Sequence, residues 1–341
     1  MEKRYISHKS LMQWLSELLQ DNKQVYAPVP KGDKTDFKHI KSVDEISMDH
    51  IQTTQSAKAI AFPRTEKLFS YTKEKGDVTL QNYDVNAIPE TVVFGIHPCD
   101  AAGFKPLSGI FNWDTKDLPF NERMERTTLI GMSCTQCDEY CFCTSVNGSP
   151  GNTAGSDILL TPISKEGYLV EVVTEKGSAL VEKYNSFFEA SPEVNKEDLL
   201  ANVPVRFSLD NLQERISDMF ENEVWKKQSE RCLGCGACAF VCPTCACFDI
   251  QEDTKGSNGN RLRCWDACGF SLFTVHTSGH NPRETQSQRW RQRLLHKFSY
   301  MPERLNVRGC TGCGRCSRAC PVDMNICEHL ESISKLEKET I

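Results

Sequence analysis

No stretch of this 341-residue chain approaches the roughly eighteen uncharged apolar residues that a membrane helix needs, so no membrane span is expected. The opening residues, Met1 to His8, lack the apolar core of a signal peptide, so export is not expected and a cytoplasmic location is. No strand–GxGxxG–helix pattern occurs. Gly148 to Gly155 is glycine-rich without that context, so no flavin or nicotinamide site is expected in the chain itself. GxSxG and HExxH are also absent. A net charge of −6 argues against nucleic acid as a partner.

Cysteine is what the chain has in excess, with eighteen. They are bunched at short spacing in a large chain without an export signal, which points to metal rather than to a disulfide framework. Their pattern repeats once. Cys232, Cys235, Cys238 and Cys242-Pro243 follow CxxCxxCxxxCP, and so do Cys310, Cys313, Cys316 and Cys320-Pro321. This is the bacterial two-cluster spacing, in which the cysteine before proline ligates the other cluster. One [4Fe–4S] cluster is therefore expected on Cys232, Cys235, Cys238 and Cys320, and a second on Cys310, Cys313, Cys316 and Cys242. Zinc also uses CxxC pairs, but two pairs would satisfy it. Two complete runs, each closed by proline, are much more specific.

The 67 residues 243–309 between the runs hold four more cysteines, Cys245, Cys247, Cys264 and Cys268. They read as small buried residues or a redox-active pair in preference to a further cluster. His280 and His296 lie among arginines, where charge balance explains them better than metal ligation. Residues 283–318 carry nine Lys/Arg against two Asp/Glu. That stretch reads either as a docking face for an acidic partner near Arg289, Arg291 and Arg293, or as buried charge holding the insertion against the clusters.

In the first half, the apolar runs 91–96 and 128–132 read as buried strands, each ending just before a cysteine, Cys99 and Cys134. Sites in open α/β sheets collect at such strand ends. Cys134, Cys137, Cys141 and Cys143 lie within ten residues, so with Cys99 there are five thiols for one cubane. Spacing alone leaves the fourth ligand open between Cys99 and Cys137. Helices are expected at the N-terminus, with Ser10 and Gln13 as a capping box before Leu11, Trp14, Leu15, Leu18 and Leu19, and over 212–220, 285–298 and 323–338. Further strands are expected near 157–161 and 168–174. The polar segment 27–60 gives no clear reading. The fold class is α+β: an N-terminal α/β domain, 1–190, with a strand-end cluster site, then a ferredoxin-like two-cluster domain, 191–341, with a long and partly helical insertion.

In combination, these motifs resemble the iron–sulfur (beta) subunit of sulfhydrogenases and its counterpart in anaerobic sulfite reductase. The resemblance rests on Pro98-Cys99-Asp100, Cys134 with Cys141 to Ser145, both repeats, Cys242 to Phe248, Arg261/Arg263/Trp265/Cys268, Gly279-His280 and Arg291 to Lys297. It implies that Cys99, Cys134, Cys141 and Cys143 hold the third cluster, with Cys137 and Cys264 as extras. It also implies three [4Fe–4S] clusters, a partner that binds FAD and NAD(P)H, and a terminal catalytic subunit of hydrogenase, sulfite reductase or heterodisulfide-reductase type. The chain would then relay electrons without a substrate of its own. The alternative is a catalytic subunit that handles a disulfide or sulfur substrate through exposed cysteines.

Overall fold

The computed structural model describes residues 2–336. The chain opens with a strand, β1 (Glu2–Ser7), which delays the first helix to His8–Gln20. Ser7 is therefore the N-cap, its Oγ accepting from Ser10 N at 3.0 Å, and not Ser10 as the capping-box pattern implied. The stripe itself is as expected: Leu11, Trp14, Leu15 and Leu18 are buried. The segment without a clear reading forms a hairpin, β2 (Gln24–Lys31) and β3 (Lys34–His39), with Pro28 and Pro30 inside β2.

Next come β4 (Thr65–Glu74), β5 (Asp77–Asn82), β6 (Thr91–Ile96) and β7 (Thr127–Met132). The expected strands at 157–174 are β8 (Ile158–Ser164) and β9 (Gly167–Val172), followed by the short β10 (Glu189–Ala190). Eight strands form one sheet in the order β10-β1-β9-β8-β7-β6-β2-β3. The four central strands β2, β6, β7 and β8 run parallel, and β6 is buried along its whole length, as a strand covered on both faces must be. One face packs on the first helix through Trp14, Phe94, Ile130 and Val170. The other packs on Phe62, Phe104, Leu107 and Phe111.

The insertion carries a second hairpin, β11 (Phe248–Lys255) and β12 (Asn258–Trp265). It joins β4 and β5 in a four-stranded sheet, β11-β12-β4-β5, so strands from both halves of the sequence share one sheet. Glu66 on β4 stands opposite Arg263 on β12. Arg263 is buried, donates through Nε to Glu66 at 2.9 Å, pairs with Asp117, and stacks 4.9 Å from the Phe111 ring. Trp265 Nε1 donates to Phe62 O at 3.0 Å. These contacts fix the insertion to β4 and to the segments of Phe62, Phe111 and Asp117 that cover the first sheet.

The helices Leu212–Asp218, Gln286–Leu295 and Ile326–Lys335 enclose a third core with Trp225, Trp290, Leu294 and Phe298. The helix expected over 323–338 is shorter than read, and residues 337 and 338 lie outside those described. The helix Gln286–Leu295 continues into a π-helical turn, His296–Tyr300, which carries Lys297. Single π turns recur at functional sites.

Candidate metal centre

The two repeats fold alike. Gly234 and Gly236 have φ of 66° and 73°, and Gly312 and Gly314 have 68° and 70°. Each copy then enters a single helical turn, Ala237–Phe240 or Arg315–Arg318. At Gly314 glycine is required twice over. Its φ is left-handed, and a Cβ there would sit 2.4 Å from Tyr140 O. The second copy thus lays its backbone directly on the loop that carries Cys141 and Cys143, and Phe142 N donates to Gly312 O at 3.0 Å.

Cys232, Cys235, Cys238 and Cys320 line one cavity, which Trp290, Met324 and Ile326 also wall. Gln286 Nε2 donates to Cys232 Sγ at 3.1 Å, and Met324 N to Cys320 Sγ at 3.2 Å. Burial pushes the Cys238 thiol up to about 12, so it ionises only against a cation. Arg293 also lines the cavity. It is buried, and its Nε has no hydrogen-bond partner. An orphaned cationic donor among four thiols fits a thiolate-ligated, net-negative group, and an iron–sulfur cubane meets that description.

The other set shows the same chemistry. Burial pushes Cys310 to about 11 and Cys313 to about 12, and each has Cys316 and Cys242 as charged neighbours. Cys242 moves the other way. A hydrogen bond from Cys245 holds it well below the usual thiol range, with Lys297 and Arg293 adding to the effect. Lys297 is buried, which opposes its charge, but Cys242 and Cys245 raise it above the ordinary lysine value. Its Nζ donates to Gly309 O at 2.7 Å, to Thr244 Oγ1 at 3.0 Å and to Cys242 Sγ at 3.4 Å. A charged, fully engaged lysine is thereby fixed beside one thiol of this set.

At the strand ends, Cys99 sits in the turn Pro98–Ala101 after β6, and Cys134 two residues beyond β7. Cys134 has Cys143, Cys141 and, more weakly, Cys137 as charged neighbours, and Cys99 has Cys313 and Cys134. Burial raises all four thiols, Cys143 to about 11. Cys137 points its thiol at Asn202 O, 3.4 Å away, and Gln52 Nε2 donates to Cys99 Sγ at 3.6 Å. Arg318 Nη2 donates to Cys141 Sγ at 3.2 Å while its Nε holds Asp138 at 2.7 Å. Arg315, fully buried, pairs with Asp100 and donates to Thr53 O at 2.8 Å. Sequence reasoning did not single out these two arginines. Comparing the repeats offers a signal, because they replace Ala237 and Phe240 of the first copy. Lys58 was missed as well. It lies in the unreadable polar segment, yet it is buried and donates to Ala239 O and Cys245 O at 3.0 and 2.9 Å.

The basic stretch is not an open docking face. Arg289, Arg293, Lys297 and Arg315 are buried. Arg289 caps Arg283 O and Glu284 O at 2.9 and 2.8 Å, and Arg291 stacks 3.7 Å from the Phe220 ring. Of these, Arg293 and Lys297 tie the insertion to the cysteine motifs, through Cys238 O and Cys242 Sγ, in line with the second of the two readings, while Arg289 braces its own helix start and Arg291 binds Phe220 O. His296 is half-buried near Lys297, Arg283 and Arg293, and burial with those charges lowers it to about 4.

These features define a class, iron–sulfur electron-transfer proteins, and residues 231–324 match the 4Fe-4S dicluster domain family. Over 350 aligned residues the chain is 30% identical to the Sulfhydrogenase 2 subunit beta of Pyrococcus furiosus, covering 99% of this chain and all of that protein. The chain belongs to the sulfhydrogenase beta-subunit family. No solved structure matches it. Among the described residues, no helix is long and apolar enough to cross a membrane.

Proposed function

We propose that this chain is the iron–sulfur relay of a cytoplasmic multisubunit oxidoreductase. It carries electrons between a partner that binds FAD and NAD(P)H and a terminal subunit of hydrogenase, sulfite reductase or heterodisulfide-reductase type. Three [4Fe–4S] clusters are assigned: one to Cys99, Cys134, Cys141 and Cys143 in residues 1–190, and two to the crossed sets of the repeats in residues 191–341. When bound, such clusters supply reversible one-electron chemistry. The chain's own part is to bury the thiols, offer them donors and hold the sets in sequence.

The observation that carries the reading is the contiguity of the three sets. Gln52 Nε2 bridges Cys99 Sγ and Cys313 O at 3.6 and 3.4 Å, and Cys316 lines the cavity of Cys238. The order is thus strand-end set, Cys310 set, Cys232 set, with Arg315, Arg318, Arg293 and Lys297 between them as fixed counter-charges. A series of closely spaced centres serves to join two partners at its ends.

The test is anaerobic purification of the single chain with iron, sulfide and flavin analysis. About twelve iron and twelve labile sulfide per chain, without bound flavin, is expected. Eight of each would remove the strand-end cluster, and stoichiometric flavin would overturn the division of labour between subunits.

A further inference from the structure

The insertion cysteines are not scattered through the fold. β11 begins one residue after Cys247, and β12 ends three residues before Cys268. Phe248 pairs with Trp265 in the ladder, and Asp266 N then donates to Cys247 O at 2.9 Å. The mouth of this hairpin brings two cysteines, more than twenty residues apart in sequence, to adjoining positions just past the last ladder pair, with Cys247 opposite Asp266 and Cys268 two residues further on. Lys58 clamps the mouth from the other half of the chain, with Nζ on Cys245 O and 4.1 Å from the centre of the Trp265 ring. Cys268 also lines the cavity of Cys232, Cys235, Cys238 and Cys320. Cys245 faces Arg293, whose Nη1 lies 3.7 Å from its sulfur.

We infer that Cys247 and Cys268 form a redox-active dithiol–disulfide couple wired to the cluster of Cys232, Cys235, Cys238 and Cys320, a two-electron store beside one-electron carriers. The inference rests on the cluster reading above. In the oxidative direction two S–H bonds break and one S–S bond forms. Two protons leave to water at the partly exposed edge of the two residues. Two electrons pass singly into the adjacent cluster and onward through the relay. Reduction reverses each of these steps, drawing its electrons from the same cluster.

The experiment uses the iron-loaded full chain. Samples reduced with dithionite and oxidised with thionine are quenched in acid with N-ethylmaleimide and mapped by mass spectrometry, and the oxidised protein is titrated reductively. A Cys247–Cys268 linked peptide is expected in the oxidised sample alone. The titration should take up about five electrons per chain, three for clusters and two for the couple. Cys247→Ser and Cys268→Ser should each lower this to about three while iron stays near twelve. Iron near sixteen in the wild type, falling to twelve in both variants, would overturn the couple in favour of a fourth cluster. Equal electron uptake in wild type and variants, with no linked peptide, would leave the two cysteines as packing residues and refute it. Iron well below twelve in the wild type would instead count against the cluster reading, a failure the alkylation map distinguishes.

Discussion

Replacing Lys297 by methionine removes one buried positive charge while nearly keeping the side-chain volume. Its Nζ is 3.4 Å from Cys242 Sγ. At an effective dielectric of about 20, a unit charge at that separation interacts by about 5 kcal/mol. An added electron is delocalised over the cubane, and taken as shared equally among its four thiolate-capped corners, about a quarter of it lies at this one. The remaining interaction is about 1.2 kcal/mol, or about 50 mV for a one-electron couple. Losing the cation disfavours the reduced, more negative state, so the potential of the Cys310 set should fall by that amount. Lys297→Arg, which keeps the charge, should shift it much less. The substitution also strips donors from Gly309 O and Thr244 Oγ1, at a cost of about 1–3 kcal/mol in stability. The assay is an EPR-monitored redox titration with iron analysis on the same samples. Full iron with a potential unchanged in Lys297→Met would refute the electrostatic argument. A rise in potential would refute its sign.

Three further outcomes are expected. Cys99→Ala should abolish the EPR signal of the strand-end cluster while Cys137→Ala leaves it intact; the reverse pattern would give the fourth site to Cys137. Gly314→Ala places a Cβ 2.4 Å from Tyr140 O at a φ of 70°, and should lower stability by about 1–3 kcal/mol and loosen the strand-end cluster first, as read by thermal unfolding and iron retention. His329 is held neutral to about 4 by burial, with Arg231 adding to the effect, and packs edge-on to Trp290 at 5.0 Å. Its folded value lies below the unfolded 6.5, so its share of stability is present above pH 6.5 and is lost as pH falls towards 4. His329→Phe should flatten that acid-side slope in denaturant melts across pH 4–7.

Much of the candidate site is local, and local features are legible. One CxxCxxC loop can supply three corners of a cluster, so the crossed sets are what spacing proposes, and the glycines take the left-handed turns such a loop needs. The strands β6 to β9 stood out because strands covered on both faces read as continuous apolar runs, whether parallel, as β6 to β8 are, or antiparallel, as β9 is. β1, β4, β5 and β11 did not, because their residues are largely polar and few of them are buried, so no apolar run marks them. Spacing likewise left Cys99 against Cys137 undecided, because Cys99 reaches Cys134 only through the alignment of β6 beside β7. The same holds for charge. Composition displayed nine basic residues in one stretch, and tertiary packing buried four of them, Arg289, Arg293, Lys297 and Arg315, as partners for thiols, carboxylates and carbonyls. Sequence by itself determined the ligand chemistry, since thiol spacing dictates what a short loop can wrap. Only the tertiary structure decided which buried cation faces which sulfur, and that Cys247 and Cys268 meet, because those contacts depend on strand register between segments that sequence order keeps apart.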